Sequence, residues 1–311
     1  MSFFLILTVV ILIFLNGATD ASNAIASSVS SGALSMRQAS VLASVCNTAG
    51  GIAGMLFFGE IRQSVTENAD FGAYGEIGVL ASVGAAVLFT FLAWLLRLPT
   101  SESHALLASC AGASVVLGNE VHTALLIGRP LLWMTVCAAG GALSGALLGR
   151  CFPRYWKRKT ERRLQIFCAA GGSFLHGVQD LAKFLALLGI VGNRAHPLIL
   201  GMAAGVMGLG TLSGGRRMTE AVGENLAAMD SRSALAADLG TALALLCLSC
   251  AGIPSSTTHV RTCAAAGGAA VSPGCRLHEK QLIRFTAAWL ATFPICMAMA
   301  AILALFLRAI I

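Results

Sequence analysis

The chain has 311 residues, of which 57% are hydrophobic and only 11% are charged. A soluble domain of this length cannot bury so much apolar surface, so the composition excludes an ordinary globular protein in water. The formal net charge of +7 does not indicate a nucleic-acid partner, because basic loops facing anionic lipid explain a charge of this size.

Apolar runs long enough to cross about 30 Å of hydrocarbon recur along the whole chain. Lipid offers no partners for backbone amides and carbonyls, so the expected fold is an all-α polytopic membrane protein. The pattern predicts about ten transmembrane segments, centred near residues 12, 49, 85, 111, 140, 172, 205, 243, 265 and 296. The first run lacks the basic start of a signal peptide, so we interpret it as part of the mature protein.

Polar clusters interrupt the first and sixth predicted segments, at residues 16–23 and 176–183, and predict broken helices there. Asp20 and Asp180 occupy equivalent G-x-x-D positions 160 residues apart. A carboxylate in a membrane segment costs about 2.5–3.5 kcal/mol on translocon scales, so each needs a partner. Oxygen-rich clusters of this kind are the ligands that a hard coupling cation takes in place of its hydration shell. The predicted coupling-ion residues are Thr19, Asp20, Asn23, Gln179 and Asp180, with Asp20, Asn23 and Asp180 as the candidate ligands of Na+.

The fourth and ninth segments each open with a proline, a group of hydroxyls and a histidine, at residues 99–104 and 254–259, with the histidines 155 residues apart. Proline is favoured in the first turn of a helix, where free amides and a positive helix end attract an oxyanion. The predicted substrate-binding residues are Ser101, Glu102, Ser103, Ser255, Ser256, Thr257 and Thr258. We interpret His104, His176 and His259 as capping or packing residues rather than proton carriers.

The two duplications predict two homologous halves, residues 1–149 and 164–311, joined by a basic linker at 150–163. Five segments in each half is an odd number, so the second half is expected to insert upside down as an inverted repeat. If the amino terminus is external, most basic residues fall on the cytoplasmic side, as the positive-inside rule requires. The prediction is therefore a multi-pass protein of a prokaryotic inner membrane with both termini external.

These segments resemble the inorganic phosphate transporter (PiT) family of sodium- or proton-coupled phosphate permeases, which includes some sulfate permeases. Residues 17–23 and 177–183 are similar to its G-A-N-D-x-x-N motif, and 99–104 and 254–259 to its P-[VS]-S-T-T-H motif. Residues 31–39 and 214–223 resemble two further family segments. The sequence departs from the first motif at Thr19, Gln179 and Lys183, each of which replaces an asparagine.

Lys183 stands where the resemblance implies a sodium ligand, so we expect its ammonium to substitute for one coupling cation or to titrate during the cycle. Glu102 stands where the second half has Thr257. Four roles for Glu102 are open: a partner for Lys183, a proton carrier, an acceptor for the hydroxyl of hydrogen phosphate, or a rim carboxylate near water.

The resemblance implies a secondary transporter of inorganic phosphate, and the sequence has no Walker motif that would indicate ATP-driven transport. A permease for sulfate or another small oxyanion is the first alternative, and an anion channel is an alternative of another class. An enzyme is not expected, because no spacing links a nucleophile, a base and an orienting residue. No cofactor is expected beyond the coupling ion; the expected partners are phosphate or sulfate and membrane lipid, and a homodimer remains open.

Overall fold

The computed structural model describes residues 2–67, 69, 71–96, 98, 100–117, 123–151, 157–190, 197–223 and 227–310; the side chains of residues 2, 21–23, 123–127 and 215–228 lie outside this description. The first six helices are α1 (Ser2–Thr19), α2 (Ala21–Ser30), α3 (Met36–Phe57), α4 (Gly59–Thr66), α5 (Gly75–Leu95) and α6 (Glu102–Val116). The next six are α7 (Thr123–Cys151), α8 (Arg158–Ile190), α9 (Pro197–Gly223), α10 (Ser231–Cys250), α11 (Thr257–Val271) and α12 (Glu279–Ile310). A short 3-10 turn (Gly72–Tyr74) precedes α5, and β1 (Ala227–Ala228) pairs antiparallel with β2 (Arg276–Leu277).

Within the described residues, seven helical stretches are long and apolar enough to cross a membrane. All ten predicted segment centres lie inside helices. However, α6 and α11 have 15 residues each, which at 1.5 Å per residue is about 22 Å and less than the hydrocarbon thickness. The prediction of a helical multi-pass membrane protein is confirmed, whereas the number of complete crossings stays a prediction.

The surface of the protein is apolar, and the largely apolar interior also holds buried polar and charged side chains. Large side chains such as Phe3, Leu56 and Phe57 are exposed, and Phe57 is 77% exposed. Charged side chains such as Asp180 and Lys183 are buried. An exterior of this kind is suited to lipid tails, and the buried charges indicate a functional polar site between the helices.

The prediction of two helices broken at the aspartate clusters is only half right. Asp20 separates α1 from α2, although its φ of −85° and ψ of −31° stay close to helical values. In the sixth segment, α8 runs without a break from Arg158 to Ile190, so the predicted break there is wrong. Within this unbroken helix, Asp180 accepts a hydrogen bond from Asn16 of α1 and Lys183 donates to Ser103 of α6.

The clear interruptions of the backbone lie before α6 and α11. After α10, Gly252 adopts a φ of 68°, and the amide of Ile253 donates to the carbonyl of Leu248 at 3.0 Å. This closes the helix in the left-handed manner that glycine permits, and Pro254 cannot extend it. Pro99, the corresponding proline before α6, lies outside the described residues.

Both short helices are capped by a serine hydroxyl that the sequence analysis predicted to bind substrate. Ser101 Oγ accepts a hydrogen bond from the amide of His104 at 3.3 Å, and Ser256 Oγ accepts one from the amide of His259 at 3.2 Å. All four residues are buried. The amino-terminal ends of α6 and α11 therefore start inside the protein rather than at its surface.

Helices of the two halves pack in reciprocal pairs. α1 packs on α9 as α8 packs on α3, α7 packs on α11 as α12 packs on α6, and α5 packs on α12 as α10 packs on α7. In each case, replacing both helices of a contact by their counterparts in the other half gives a second contact that is also present.

Glycines at these crossings repeat at the same spacing as the motifs. A Cβ on Gly17 would lie 2.1 Å from the carbonyl oxygen of Met207, and one on Gly177 would lie 2.1 Å from that of Asn47. Gly177 lies 160 residues after Gly17, and Met207 lies 160 residues after Asn47. The contacts Gly112 to Met297 and Gly267 to Ala142 are related in the same way by 155 residues. Only glycine allows helix backbones to approach so closely.

Candidate functional site

The two predicted aspartates meet in the interior. Ligand atoms of Asp20, His176 and Asp180 all lie within 4.8 Å of one another, and the three residues are buried. Asp20 Oδ1 accepts a hydrogen bond from the hydroxyl of Thr258 at 3.2 Å, which connects it to the start of α11. Asp180 Oδ2 accepts one from Asn16 Nδ2 at 2.9 Å and lies 3.0 Å from His176 Nε2. Each half therefore contributes one carboxylate to a shared cluster.

Lys183 connects three elements around this cluster. Its Nζ lies 2.6 Å from Asp180 Oδ1, 2.6 Å from Ser103 Oγ and 2.5 Å from the carbonyl oxygen of Ser255. An ammonium has three protons, so these contacts use its whole donor capacity. A carboxylate, a hydroxyl and a carbonyl oxygen are also the ligand types that a hard cation prefers.

Glu102 does not pair with Lys183, which was one of the roles that the sequence left open for it. The hydroxyl of Thr19 donates to Glu102 Oε1, while Lys183 pairs with Asp180. Glu102 is only 2% exposed, so the interpretation as a rim carboxylate near water is wrong. The roles as a proton carrier and as a partner for hydrogen phosphate stay predictions.

The starts of α6 and α11 touch each other at the centre of the protein. The hydroxyl of Ser103 lies 3.4 Å from the carbonyl oxygen of Ser255. The rings of His104 and His259, which hold equivalent positions in the two motifs, are 4.8 Å apart between centroids. His259 also packs edge-on against Trp289 at 4.0 Å. Two positive helix ends therefore converge beside the carboxylates.

The buried cluster holds more acidic than basic groups. Asp20, Glu102 and Asp180 are each at most 7% exposed, and Lys183 is the basic side chain that pairs with one of them. His176 contributes a positive charge only when it is protonated. Carboxylates in a membrane interior need counter-charges, so this site has a requirement for cations or protons that Lys183 alone does not meet.

Several buried polar atoms in this region have no hydrogen-bond partner among the described residues. The acceptors are Asn16 Oδ1 and Glu102 Oε2, and the hydroxyls are Ser255 Oγ and Thr257 Oγ1. Buried polar atoms are nearly always satisfied in folded proteins, by water or an ion where protein groups do not reach. Unpaired acceptors near the carboxylates and unpaired hydroxyls at a helix start are suited to a cation and an oxyanion, respectively.

The structure brings most of the predicted site residues together, and it gives Gln179 a different neighbourhood. Gln179 donates to Ser249 Oγ at 2.8 Å and accepts from the amide of Ser255 at 3.0 Å, so it holds the segment that leads into α11. The side chain of Asn23 lies outside the described residues. Ser101 and Ser256 act as helix caps, and Thr257 is the buried first residue of α11.

Sequence reasoning gave no binding role to three members of the cluster, and it interpreted one of them, His176, as a capping or packing residue. Asn16 lies one turn before Asp20, and His176 lies one turn before Asp180, so helical spacing from each aspartate was the signal that could have found them. Asn47 lies in α3, where its Oδ1 contacts His176 Nδ1 at 2.9 Å and its Nδ2 donates to Thr211 Oγ1 at 2.9 Å. A lone asparagine in an apolar run is the only sequence signal for that contact.

Comparison with known proteins identifies the family. The profile of the Phosphate transporter family matches residues 16–163 and 156–300, which together cover most of the chain. The chain belongs to the phosphate transporter family. The predicted resemblance is therefore confirmed, and family members are transporters rather than enzymes.

Individual members of the phosphate transporter family agree with this assignment. A probable low-affinity inorganic phosphate transporter of Bacillus subtilis is 28% identical over 97% of both chains. A protein of the same description from Mycobacterium bovis is 30% identical, over 91% of this chain and 72% of its own length. A solved structure described as "The sodium-dependent phosphate transporter" matches all of both chains with a TM-score of 0.83 at 19% identity, which shows a shared fold.

Proposed function

We propose that this protein is a secondary active transporter that carries inorganic phosphate across a prokaryotic inner membrane together with Na+ or H+. The observation that carries the proposal is the contact between two buried helix starts and a cluster of three carboxyls. Membership of the phosphate transporter family supports phosphate as the anion. The relatives are named as phosphate transporters, and the structural neighbour is named as sodium-dependent.

Electrostatics explains why anion and cation travel together in this proposal. Phosphate is repelled by Asp20, Glu102 and Asp180 unless cations or protons neutralise them first. Once they are neutral, the free hydroxyls of Ser255 and Thr257 and the positive ends of α6 and α11 can bind the anion. Cation binding therefore raises phosphate affinity, which is the thermodynamic requirement for coupled transport.

Lys183 acts in this proposal as a built-in cation. Its ammonium lies among three oxygens from α8, α6 and the segment before α11, an arrangement that suits a bound metal ion. Asn23 occupies the equivalent position in the first half. A fixed positive charge in one half and a neutral amide in the other would reduce the number of mobile cations bound per cycle by one.

Alternating access is proposed to arise from two inverted repeats, residues 1–149 and 164–311, with the linker 150–163 in the cytoplasm and both termini outside. The reciprocal packing of α1 on α9 and α8 on α3 supports this pairing, as do the glycine contacts repeated at 160 and 155 residues. Repeats of this kind can rock against each other about a central site.

Uptake of labelled phosphate into proteoliposomes, with Na+ and proton gradients imposed separately, tests the proposal. We expect saturable uptake driven by one of the two gradients and little uptake with neither. Equal competition by sulfate and phosphate would instead favour a general oxyanion permease. Flux that does not saturate with phosphate would favour a channel and contradict the proposal. Protein-free liposomes are the control.

A further inference from the structure

A second buried charge cluster lies away from the central site. Asp238 of α10 pairs with Arg261 of α11, with 2.6 Å between Oδ1 and Nη1. Ser27 of α2 joins them: its hydroxyl donates to Asp238 Oδ1 at 3.0 Å, and Arg261 Nη2 donates to Ser27 Oγ at 2.6 Å. We call Ser27, Asp238 and Arg261 the ionic triad. It connects three helices, and none of its members belongs to the predicted site.

The ionic triad lies between the central site and the face that carries the basic linker. Arg261 is one turn beyond the start of α11, and Ser27 is about two turns beyond Asp20 along α2. Directly after α2, Ser31 donates to Gln165 of α8 at 2.8 Å, and Gln165 donates to Ser231 of α10 at 3.2 Å. A second set of contacts, between the end of α2, α8 and the start of α10, thus lies between the ionic triad and linker residues 158–163 at the start of α8.

The opposite half closes the equivalent position with apolar side chains. Displacement by 160 residues takes Ser27 to Leu187, and displacement by 155 takes Asp238 to Val83 and Arg261 to Leu106. All three counterparts are almost completely buried and belong to one hydrophobic cluster. The two sides of the central site are therefore closed by different chemistry, ionic on the linker side and apolar on the other.

We propose that the ionic triad is the cytoplasmic gate of the transport path, and that Arg261 binds the oxyanion when the gate opens. This inference rests on the proposed transport function. In the closed gate the carboxylate of Asp238 binds the guanidinium of Arg261 and the hydroxyl of Ser27, the two groups that would bind the anion in the open gate. Guanidinium groups bind carboxylate and phosphate with the same bidentate geometry, so phosphate replaces Asp238 as α2 moves away from α10 and α11.

Opposite effects of two single substitutions test the gate. In Asp238→Asn the guanidinium of Arg261 loses its competing carboxylate, whereas Arg261→Gln removes the anion-binding group itself. Phosphate KM is measured in right-side-out and inside-out membrane vesicles, which present the external and cytoplasmic openings. Glu67→Gln, which breaks the exposed Arg129 pair at 3.3 Å, is the matched control.

We expect Asp238→Asn to lower the phosphate KM of inside-out vesicles by about fivefold or more and to raise that of right-side-out vesicles, because the gate no longer stabilises the closed state. Arg261→Gln should raise the external KM without lowering the cytoplasmic one. If both substitutions change yield but leave KM equal on the two sides, the triad is only structural and the inference is wrong. If Asp238→Asn does not fold, Ser27→Ala, which keeps both charges, must raise the external KM selectively.

The proposed function and the gate fail in distinguishable ways. Absence of coupled phosphate uptake by the unmodified protein would contradict the transport proposal. Normal uptake with symmetric effects of the triad substitutions would contradict the gate alone.

Discussion

Replacement of Lys183 by asparagine should convert a built-in cation into a binding site for a mobile one. Breaking a buried ion pair by removing one partner costs about 3–5 kcal/mol, and the Asp180 contact of 2.6 Å is buried on both sides. Na+ that enters the vacated position stabilises the folded protein by about 2.7 kcal/mol at a hundred times its Kd. Lys183→Asn should therefore be destabilised without Na+ and substantially recovered with it.

Thermal unfolding in detergent measures this effect, with Na+ replaced by choline at constant ionic strength. A recovery of this size corresponds to a rise in Tm on the order of 5 °C in the variant. The unmodified protein should show a smaller rise, because Lys183 already fills the position. Lys280→Asn, at the exposed start of α12, is the control. An equal Na+-dependent rise in Lys183→Asn and the unmodified protein would refute the role of Lys183 as a cation.

Three further outcomes follow from the site and the helix crossings. Asp20→Asn should reduce gradient-driven uptake by at least about fivefold, because it removes a coupling carboxylate; unchanged gradient-driven uptake in proteoliposomes would argue against this. Ser255→Ala combined with Thr257→Val should raise the phosphate KM about tenfold or more, since each hydroxyl is expected to donate to a charged ligand; an unchanged KM would exclude them as ligands. Gly50→Ala should lower thermal stability by about 1–3 kcal/mol or more, because its Cβ would lie 1.9 Å from the carbonyl oxygen of Phe174, whereas Gly59→Ala, with open space around its Cβ, should not.

The sequence was sufficient to predict the membrane class, the family and the meeting of Asp20 with Asp180. Those predictions depended on composition and on duplicated motifs, which can be read directly from the sequence. The continuity of α8 was not predictable in this way, because the partners of Asp180 and Lys183 on other helices, Asn16 and Ser103, lie far away along the chain.

The ionic triad shows the same limit more strongly. Ser27, Asp238 and Arg261 belong to three different helices, and no motif connects them in the sequence. Asp238 and Arg261 are each a single charge in an apolar run, a pattern that indicates a functional position but does not name the partner. Only the packing of α2 against α10 and α11 identifies the cluster.

The reciprocal packing of the helices occurs within one chain, and this has a consequence for the charges at the centre. In a dimer of two identical half-length chains, equivalent positions always carry the same residue. A lysine beside one aspartate would therefore also stand beside the other. In a single chain the two equivalent positions can carry different residues. Here Lys183 stands opposite Asn23, and Glu102 stands opposite Thr257. A single chain thus permits an asymmetric distribution of charge at the centre, which a dimer of identical chains would forbid.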